Sequence, residues 1–166
     1  LILMGYLNPI MKFGFEAFCQ KCVECGIDGV IIPDLPFKDY EETYKPIADR
    51  YDIRVIMLIT PETSEARVRE IDEHTDGFIY MVSSAATTGA QKDFDSQKQA
   101  YFKKIQDMHL RNPRMVGFGI SNKQTFDAAC ANSSGAIIGS RFVTLLNEAE
   151  GDAEKAITQL KENVGR

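Results

Sequence analysis

Two short glycine-containing stretches near the C-terminal end of the sequence carry its clearest indication of fold. They are Met115-Val116-Gly117-Phe118-Gly119-Ile120-Ser121 and Gly135-Ala136-Ile137-Ile138-Gly139-Ser140. In both, an apolar run stops at a glycine and leads into a segment of helical character. Such strand-to-helix turns expose the backbone N–H groups and helix N-termini that a phosphate needs. Two of them in neighbouring units predict a phosphate-binding (β/α) barrel.

Short apolar runs of strand character recur along the whole chain, and each is followed by a segment of helical period. Several are nearly continuous in Val, Ile, Leu and Met, which suits parallel strands covered on both faces. We therefore predict six β/α units in one domain that spans residues 1–166. The predicted strands are Leu1–Tyr6, Gly29–Ile32, Arg54–Ile59, Gly77–Val82, Met115–Phe118 and Gly135–Ile138.

A complete TIM (β/α)8 barrel needs eight such units and about 250 residues. We therefore expect about six of the eight units in this sequence, with the two N-terminal units missing. The edge strands Leu1–Tyr6 and Gly135–Ile138 would then be exposed and prone to pairing. The alternative is an open, doubly wound parallel sheet, but no strand is followed by the Gly-x-Gly-x-x-Gly turn typical of that fold.

The composition argues against two classes of function, nucleic-acid binding and membrane insertion. The 166 residues carry a net charge of −5 without a cluster of Lys and Arg, so the sequence has no electrostatic footprint for nucleic acid. No apolar run approaches the length of a membrane helix, and no stretch has the pattern of a signal peptide. These features predict a cytoplasmic protein that binds neither nucleic acid nor membrane.

Cys19, Cys22 and Cys25 form a Cys-x-x-Cys-x-x-Cys run that could indicate a metal site. The run lies in an amphipathic segment, Phe13–Gly26, that we predict to be one helix closed by Gly26. Free cysteines on such a helix behave as small apolar residues, so we expect structural thiols and no metal.

Helix caps follow from the same patterns. Ser121 with Gln124 predicts a capping box, and Asp152 predicts the N-cap of a last helix over Ala153–Val164.

In a parallel barrel the site is built from residues that follow the strands. Asn8 follows the first strand, and Asp34 follows the second between Pro33 and Pro36, which hold the loop extended. Asp34 could be a base, a substrate acceptor or a loop anchor. Tyr80 lies within the fourth run, where it is either a core residue or the wall of an aromatic pocket.

The longest connection is the small and polar stretch from Ser83 to Asp95. It is either a functional lid or a tolerated surface insertion. Thr88-Gly89, within it, combine a hydroxyl with a flexible backbone, as a closing lid requires.

Taken together, the motifs resemble those of the tryptophan synthase alpha subunit, from the third barrel strand onward. The stretches that carry the resemblance are Leu3-Met4-Gly5-Tyr6-Leu7-Asn8-Pro9, Asp28-Gly29-Val30-Ile31-Ile32-Pro33-Asp34-Leu35-Pro36, Tyr80-Met81-Val82-Ser83, Thr88-Gly89 and the two glycine stretches quoted first. Each is weak alone, and their occurrence in order across the chain is specific.

The resemblance implies a lyase of tryptophan biosynthesis that cleaves indole-3-glycerol phosphate to indole and glyceraldehyde 3-phosphate. It also implies an alpha2beta2 tetramer with a beta subunit, which carries the pyridoxal phosphate, so no cofactor is expected in this chain. The resemblance implies four sets of site residues. Asp34, Tyr80 and Thr88 would support the reaction, and Gly89, Gly119, Gly139 and Ser140 would contact the phosphate. Met4, Leu58, Tyr80 and Phe118 would wall an indole pocket, and Asn8 and Pro36 would lie on the face that meets the beta subunit.

The same resemblance places the catalytic acid–base pair, a Glu and an Asp, upstream of Leu1. No carboxylate of this sequence matches either position, so we expect only the phosphate and aromatic part of the site here. Ser84 stands where the family commonly has an Arg, so the resemblance does not extend to the details of loop closure. Two alternatives are a non-catalytic fragment that binds phosphate or the beta subunit, and another phosphate-binding barrel, such as an isomerase.

Overall fold

The computed structural model describes residues 1–83, 91–117 and 119–166, with the backbone alone over residues 91–96. By its internal contacts the chain divides into two compact units. The first unit contains residues 1–59 and 63–80, and the second contains residues 60–62 and 81–166.

The first unit is built on short parallel strands. Strands β1, β2 and β3 form one sheet in chain order, with Leu3 opposite Val30 and Val30 opposite Val55. Strand β4 lies beside β5, and the Tyr80 N–H donates to the Met57 carbonyl at 2.9 Å. The strands are β1 (Ile2–Met4), β2 (Gly29–Ile31), β3 (Arg54–Ile56), β4 (Leu58–Ile59) and β5 (Ile79–Val82), whose last two residues belong to the second unit.

The helices of the first unit follow these strands. A continuous helical run after β2 contains a π-helical turn, Tyr40–Tyr44. The α-helices are α1 (Leu7–Phe13), α2 (Phe15–Glu24), α3 (Phe37–Asp39), α4 (Lys45–Arg50) and α5 (Glu65–His74). The core lies where the helices cover the strands, and its fully buried side chains include Val30, Ile56, Ile59, Val68 and Ile79.

The first strand is far more exposed than the second. All three residues of β2 are buried, whereas the side chains of Ile2, Leu3 and Met4 in β1 are 44–53% exposed. Strand β1 stands at the end of its three-stranded sheet and pairs there with β2. The apolar edge expected at Leu1–Tyr6 is therefore present.

In the second unit the end of β5 lies beside β6 (Arg114–Gly117), and β6 pairs in parallel with β7 (Gly135–Ala136). Its helices are α6 (Gln91–Asp107), α7 (Lys123–Cys130), α8 (Ser140–Glu148) and α9 (Ala153–Asn163). Helices α8 and α9 pack through the buried residues Leu145, Ala149 and Ala156.

The predicted strands are confirmed in position, although β1 and β7 are shorter than predicted and Phe118 lies outside the described residues. One predicted strand is divided. The run Arg54–Ile59 forms two strands rather than one, because its first half pairs with β2 whereas its second half lies beside β5. A sequence pattern cannot reveal this change of neighbour at Met57, since both halves are equally apolar.

The predicted helix ends are confirmed in part. Asp152 caps α9, its carboxylate accepting the Lys155 N–H at 3.0 Å. Gly26, in the left-handed region at φ 69°, closes α2 through bonds from Gly26 N–H to Val23 and from Ile27 N–H to Cys22. However, the helix begins at Phe15 rather than Phe13, because Gly14 at φ 95° separates it from α1.

The capping box predicted at Ser121 and Gln124 was wrong by one residue. The N-cap is Asn122, whose side chain accepts the Thr125 N–H at 2.9 Å. The Thr125 hydroxyl in turn accepts the N–H groups of Ser121 and Asn122. Thr125 thus takes the place usually held by Glu or Gln.

Candidate functional site

In the first unit, Asp34 joins the two connections that follow β1 and β2. Its carboxylate oxygen Oδ1 accepts the backbone N–H of Leu7, the first residue of α1, at 2.8 Å. Helix α1 has no cap of its own, because Tyr6 at the N-cap makes no side-chain hydrogen bond and the first turn has no acidic residue. Asp34 is therefore a loop anchor in this structure, and a chemical role for it stays a prediction.

The two residues predicted on a partner face lie on either side of this anchor. Asn8 is the second residue of α1 and is exposed. Pro36 is also exposed and precedes α3, where its carbonyl accepts the Tyr40 N–H at 3.0 Å. The Asp34 contact connects the segments that carry both residues.

The residues predicted to wall an aromatic pocket differ in burial. Tyr80 is buried, and burial raises the pKa of its hydroxyl, which keeps the hydroxyl neutral. Leu58 is half-buried on the strand next to that of Tyr80, and Met4 is exposed on β1. Phe118 lies outside the described residues.

In the second unit, Gly119 follows β6 with φ at 76°, a backbone conformation that favours glycine. A Cβ at this position would have Ser83 Oγ as its nearest neighbour, at 4.0 Å. The Ser83 N–H donates to the Gly117 carbonyl at 3.2 Å. The ends of β5 and β6 therefore lie side by side at Ser83 and Gly119. Thr88 and Gly89 lie outside the described residues.

The N-terminus of α8 has the features of an anion site. Gly139 is its N-cap and Ser140 its first residue, and both are exposed. No side chain of the described chain caps this helix, and its first turn has no acidic residue. A Cβ on Gly139 would meet no atom of the described residues within 4 Å, so these residues leave the space before the helix open. The first N–H groups of α8 are left to solvent or to an anion.

The neighbouring helix provides a contrast. In α7, Asn122 and Thr125 satisfy the first backbone donors through their own side chains. An anion would compete with these hydrogen bonds at α7, but it would displace only water at α8. Of the two glycine turns, the second therefore offers the more open helix N-terminus.

The part of the site that sequence reasoning missed is the bond from Leu7 to Asp34. Its donor is a backbone group, which leaves no signal in the sequence. Only the carboxylate, placed between Pro33 and Pro36, pointed to an anchored loop.

A cavity of about 270 Å³ lies elsewhere in the first unit. Its lining includes Arg54 at the start of β3, so it is at the N-terminal end of that strand, where barrels carry structural rather than catalytic residues. Lys45 pairs with Asp49 at 2.9 Å, and Arg54 pairs with Asp52. We assign the cavity no part in the candidate site.

The cysteines give no sign of a metal centre in the described ranges, where no three His, Cys, Asp or Glu side chains are placed to hold a metal ion. Cys19 and Cys22 are buried in α2, and all four cysteines are free thiols.

None of the helices in the described part of the chain is long and apolar enough to span a membrane.

Comparison with known proteins settles the family. The model of the tryptophan synthase alpha chain family matches residues 1–166. This chain belongs to the tryptophan synthase alpha chain family. The alpha chain of Bacteroides fragilis is 80% identical over 161 residues, which is 97% of this chain and 61% of that protein. The alpha chain of Bacteroides thetaiotaomicron is 78% identical over 162 residues, 98% of this chain and 63% of that protein.

Solved structures of alpha subunits support the same family. The tryptophan synthase alpha subunit of Pyrococcus furiosus has 28% sequence identity and a TM-score of 0.84, covering 99% of this chain and 66% of that one. The fold is thus part of the (β/α)8 barrel seen in the alpha subunits. The alternative of an open doubly wound sheet is not supported. The chain spans about six tenths of the length of the curated relatives it matches.

Proposed function

We propose that this sequence belongs to an alpha chain that cleaves indole-3-glycerol phosphate to indole and glyceraldehyde 3-phosphate in tryptophan biosynthesis. The match of the family model to all 166 residues carries the proposal. The open N-terminus of α8 supports it, because a phosphate ester needs backbone donors without a competing cap.

Each predicted site residue has a part in substrate binding in this proposal. The phosphate would take N–H groups at Gly139 and Ser140, with further contacts from Gly119 and Gly89. Met4, Leu58, Tyr80 and Phe118 would wall the indole ring, and Thr88 would belong to the closing loop. A neutral Tyr80 fits an apolar wall, and burial raises the pKa of its hydroxyl further above the ordinary value.

The reaction breaks the bond between the ring carbon and the glycerol chain. The ring carbon gains a proton, the chain hydroxyl loses one as it becomes the aldehyde, and the ring nitrogen gives up its proton and regains it in indole. We assign none of the carboxylates of this chain to that proton transfer. Asp34, the best placed of them after a strand, already accepts the Leu7 N–H. Its role in the proposal is therefore a supporting one.

We further propose that the protein acts with a beta chain in an alpha2beta2 assembly, and that pyridoxal phosphate belongs to that partner rather than to this chain. A solved tryptophan synthase complex of Pyrococcus furiosus is among the structural relatives, at 26% identity and a TM-score of 0.81. Asn8 and Pro36 would lie on the partner face. A cytoplasmic location fits the free thiols.

The test is an indole-release assay on the protein at the full length its source produces, with and without the beta chain. Indole formed from indole-3-glycerol phosphate would support the lyase. Binding of the phosphate or of the beta chain without indole release would favour the non-catalytic alternative. Isomerisation of a different sugar phosphate, with no indole, would favour the other barrel enzymes.

A further inference from the structure

One tyrosine hydroxyl of the second unit is buried without a hydrogen-bond partner. Tyr101 lies on α6 and is 8% exposed. Its ring packs against that of Phe102, with the two centroids 5.6 Å apart. The Tyr101 hydroxyl is fully buried and makes no hydrogen bond with any residue that the structure describes. A hydroxyl that has lost its water without a replacement is costly and rare in folded proteins. It is therefore a group that gains from an acceptor brought within reach.

A carboxylate lies near this hydroxyl. Burial is the main reason that the pKa of Tyr101 is raised above its ordinary value, and the negative charge of Glu62 raises that pKa further. Since the effect of a charge falls with distance, the Glu62 carboxylate is a neighbour of the Tyr101 hydroxyl. Glu62 itself is exposed, and no hydrogen bond joins the two side chains. A small shift of Glu62 toward the protein would form that bond.

The turn that carries Glu62 belongs to the same unit as Tyr101. By its contacts the turn Thr60–Glu62 groups with the second unit, although the residues on both sides of it belong to the first. The turn starts directly after β4, at the carboxyl end of that strand, where barrels bind their substrates. Leu58, which we assign to the indole pocket, lies on β4 only two residues before the turn. The position of the turn therefore bears on the pocket.

We propose that Tyr101 is a positioning residue for substrate binding: its hydroxyl donates to the Glu62 carboxylate when the turn Thr60–Glu62 moves inward, and the bond holds the turn beside the indole pocket. The inference rests on the proposed function, which supplies the substrate. Neither side chain touches the reacting atoms. The bond satisfies a hydroxyl that is otherwise unpaired, so it raises the population of the inward position. A substrate that binds best to that position is then bound more tightly.

Three substitutions isolate the bond. Tyr101→Phe removes the hydroxyl and keeps the ring. Glu62→Ala removes the acceptor, whereas Glu62→Gln keeps an acceptor oxygen and should restore the bond. Because Tyr101→Phe also removes a buried, unpaired polar group, it should leave the urea midpoint of the protein without substrate unchanged or raise it. A hydroxyl with a purely structural role would lower that midpoint when it is lost.

The experiment measures indole release by the full-length protein with the beta chain, over a range of indole-3-glycerol phosphate concentrations. We expect Tyr101→Phe and Glu62→Ala each to raise KM about fivefold, the equivalent of one hydrogen bond. The kcat should change by less than about twofold, because the position of the turn affects the bound substrate and the transition state alike. Glu62→Gln should have a KM within about twofold of wild type. The double variant should be no worse than either single variant, since both remove the same bond.

Tyr51 offers a matched control. Its hydroxyl donates to Glu16 Oε1 at 3.3 Å on the exposed surface of the first unit. Tyr51→Phe therefore also removes a tyrosine hydroxyl beside a glutamate, but away from the turn, and should leave KM unchanged.

The outcomes are distinct. A wild-type protein that releases no indole would overturn the proposed function, and this inference with it. With an active wild type, an unchanged KM in Tyr101→Phe would overturn the inference alone. Additive effects of Tyr101→Phe and Glu62→Ala on KM would overturn the bond between them. Glu62 is exposed, so Glu62→Ala and its rescue by Glu62→Gln decide the question even where Tyr101→Phe fails to fold.

Discussion

At the level of single residues, the close approach of strands β2 and β3 requires a glycine at position 29. A Cβ at Gly29 would lie 2.9 Å from the backbone oxygen of Arg54 on β3. Because that neighbour is backbone, β2 and β3 would have to move apart. We expect Gly29→Ala to lower the free energy of unfolding by about 1–3 kcal/mol, measured by urea denaturation.

Gly5 provides the matched control, since a Cβ there would meet nothing within 4 Å. Gly5→Ala should leave the urea midpoint within the range of an ordinary surface substitution. Equal losses from both variants would contradict the close-approach argument and would indicate a general cost of replacing glycine at strand ends.

The buried thiol of Cys19 gives a pH dependence. Burial, with smaller contributions from the nearby Cys22 and Glu16, raises the pKa of the Cys19 thiol to about 11. A thiol in the unfolded chain titrates near about 8.5. Since the folded state holds the proton to higher pH, this contribution to stability is complete below about pH 8.5 and is lost as pH rises through about 11.

We therefore expect wild type to lose about 2 kcal/mol more stability between about pH 8 and pH 11 than Cys19→Ala does. Urea midpoints at both ends of this window measure the difference. The exposed Cys25 supplies the control, and Cys25→Ala should follow wild type. Parallel losses in wild type and Cys19→Ala would show that other groups cause the alkaline effect.

At the scale of elements, the cap of α7 tests the correction that the structure makes to the sequence pattern. Asn122 accepts the Thr125 N–H, whereas Ser121 contributes only a backbone N–H to the Thr125 hydroxyl. We expect Asn122→Ala to cost about 1 kcal/mol in unfolding free energy and Ser121→Ala to have little effect. Chemical denaturation of the two variants decides between the two positions, and a larger loss at Ser121 would restore the original pattern.

The elements that could be predicted are those whose signal is carried by several side chains. The apolar runs gave the strand positions, and Asp152 and Gly26 gave two helix ends, because each acts through its own side chain or its own backbone freedom. Helix α1 was not predicted, since its N-terminus is capped by Asp34 from another connection. The shift from Ser121 to Asn122 has a similar cause, as two hydrogen-bonding residues stand side by side and only the backbone geometry selects one.

For the candidate site, the sequence could likewise predict which residues follow the strands but not their backbone conformation. The sequence indicated the glycines after the strands, and the structure adds that Gly119 is in the left-handed region whereas Gly139 precedes an open helix N-terminus. Residue type alone cannot distinguish these two roles. The difference depends on backbone dihedrals and on whether a neighbouring side chain caps the helix.

At the scale of the whole molecule, the exposed apolar edge of β1 predicts self-association of the 166-residue chain. Leu3 and Met4 are 44% and 53% exposed on a strand at the end of its sheet. Such edges pair with other chains. We expect concentration-dependent association in sedimentation velocity, reduced by Leu3→Lys.

The control for this prediction is Val143→Lys, which places the same charge on an apolar residue of α8 that is 55% exposed. It should leave association unchanged. A monomer at every concentration, or equal relief by both variants, would show that the β1 edge is not the surface involved.

The phosphate site is tested by a titration of the chain with glyceraldehyde 3-phosphate, followed by NMR at the backbone amides of Ser140 and Arg141. These are the first residues of α8, the uncapped helix that we assign to the phosphate. We expect saturable chemical-shift changes at these amides with glyceraldehyde 3-phosphate, none with glyceraldehyde, and little change at Lys123 in the self-capped helix α7. Absence of a saturable change at Ser140, or the same shifts with glyceraldehyde, would contradict the phosphate site and with it the proposed substrate.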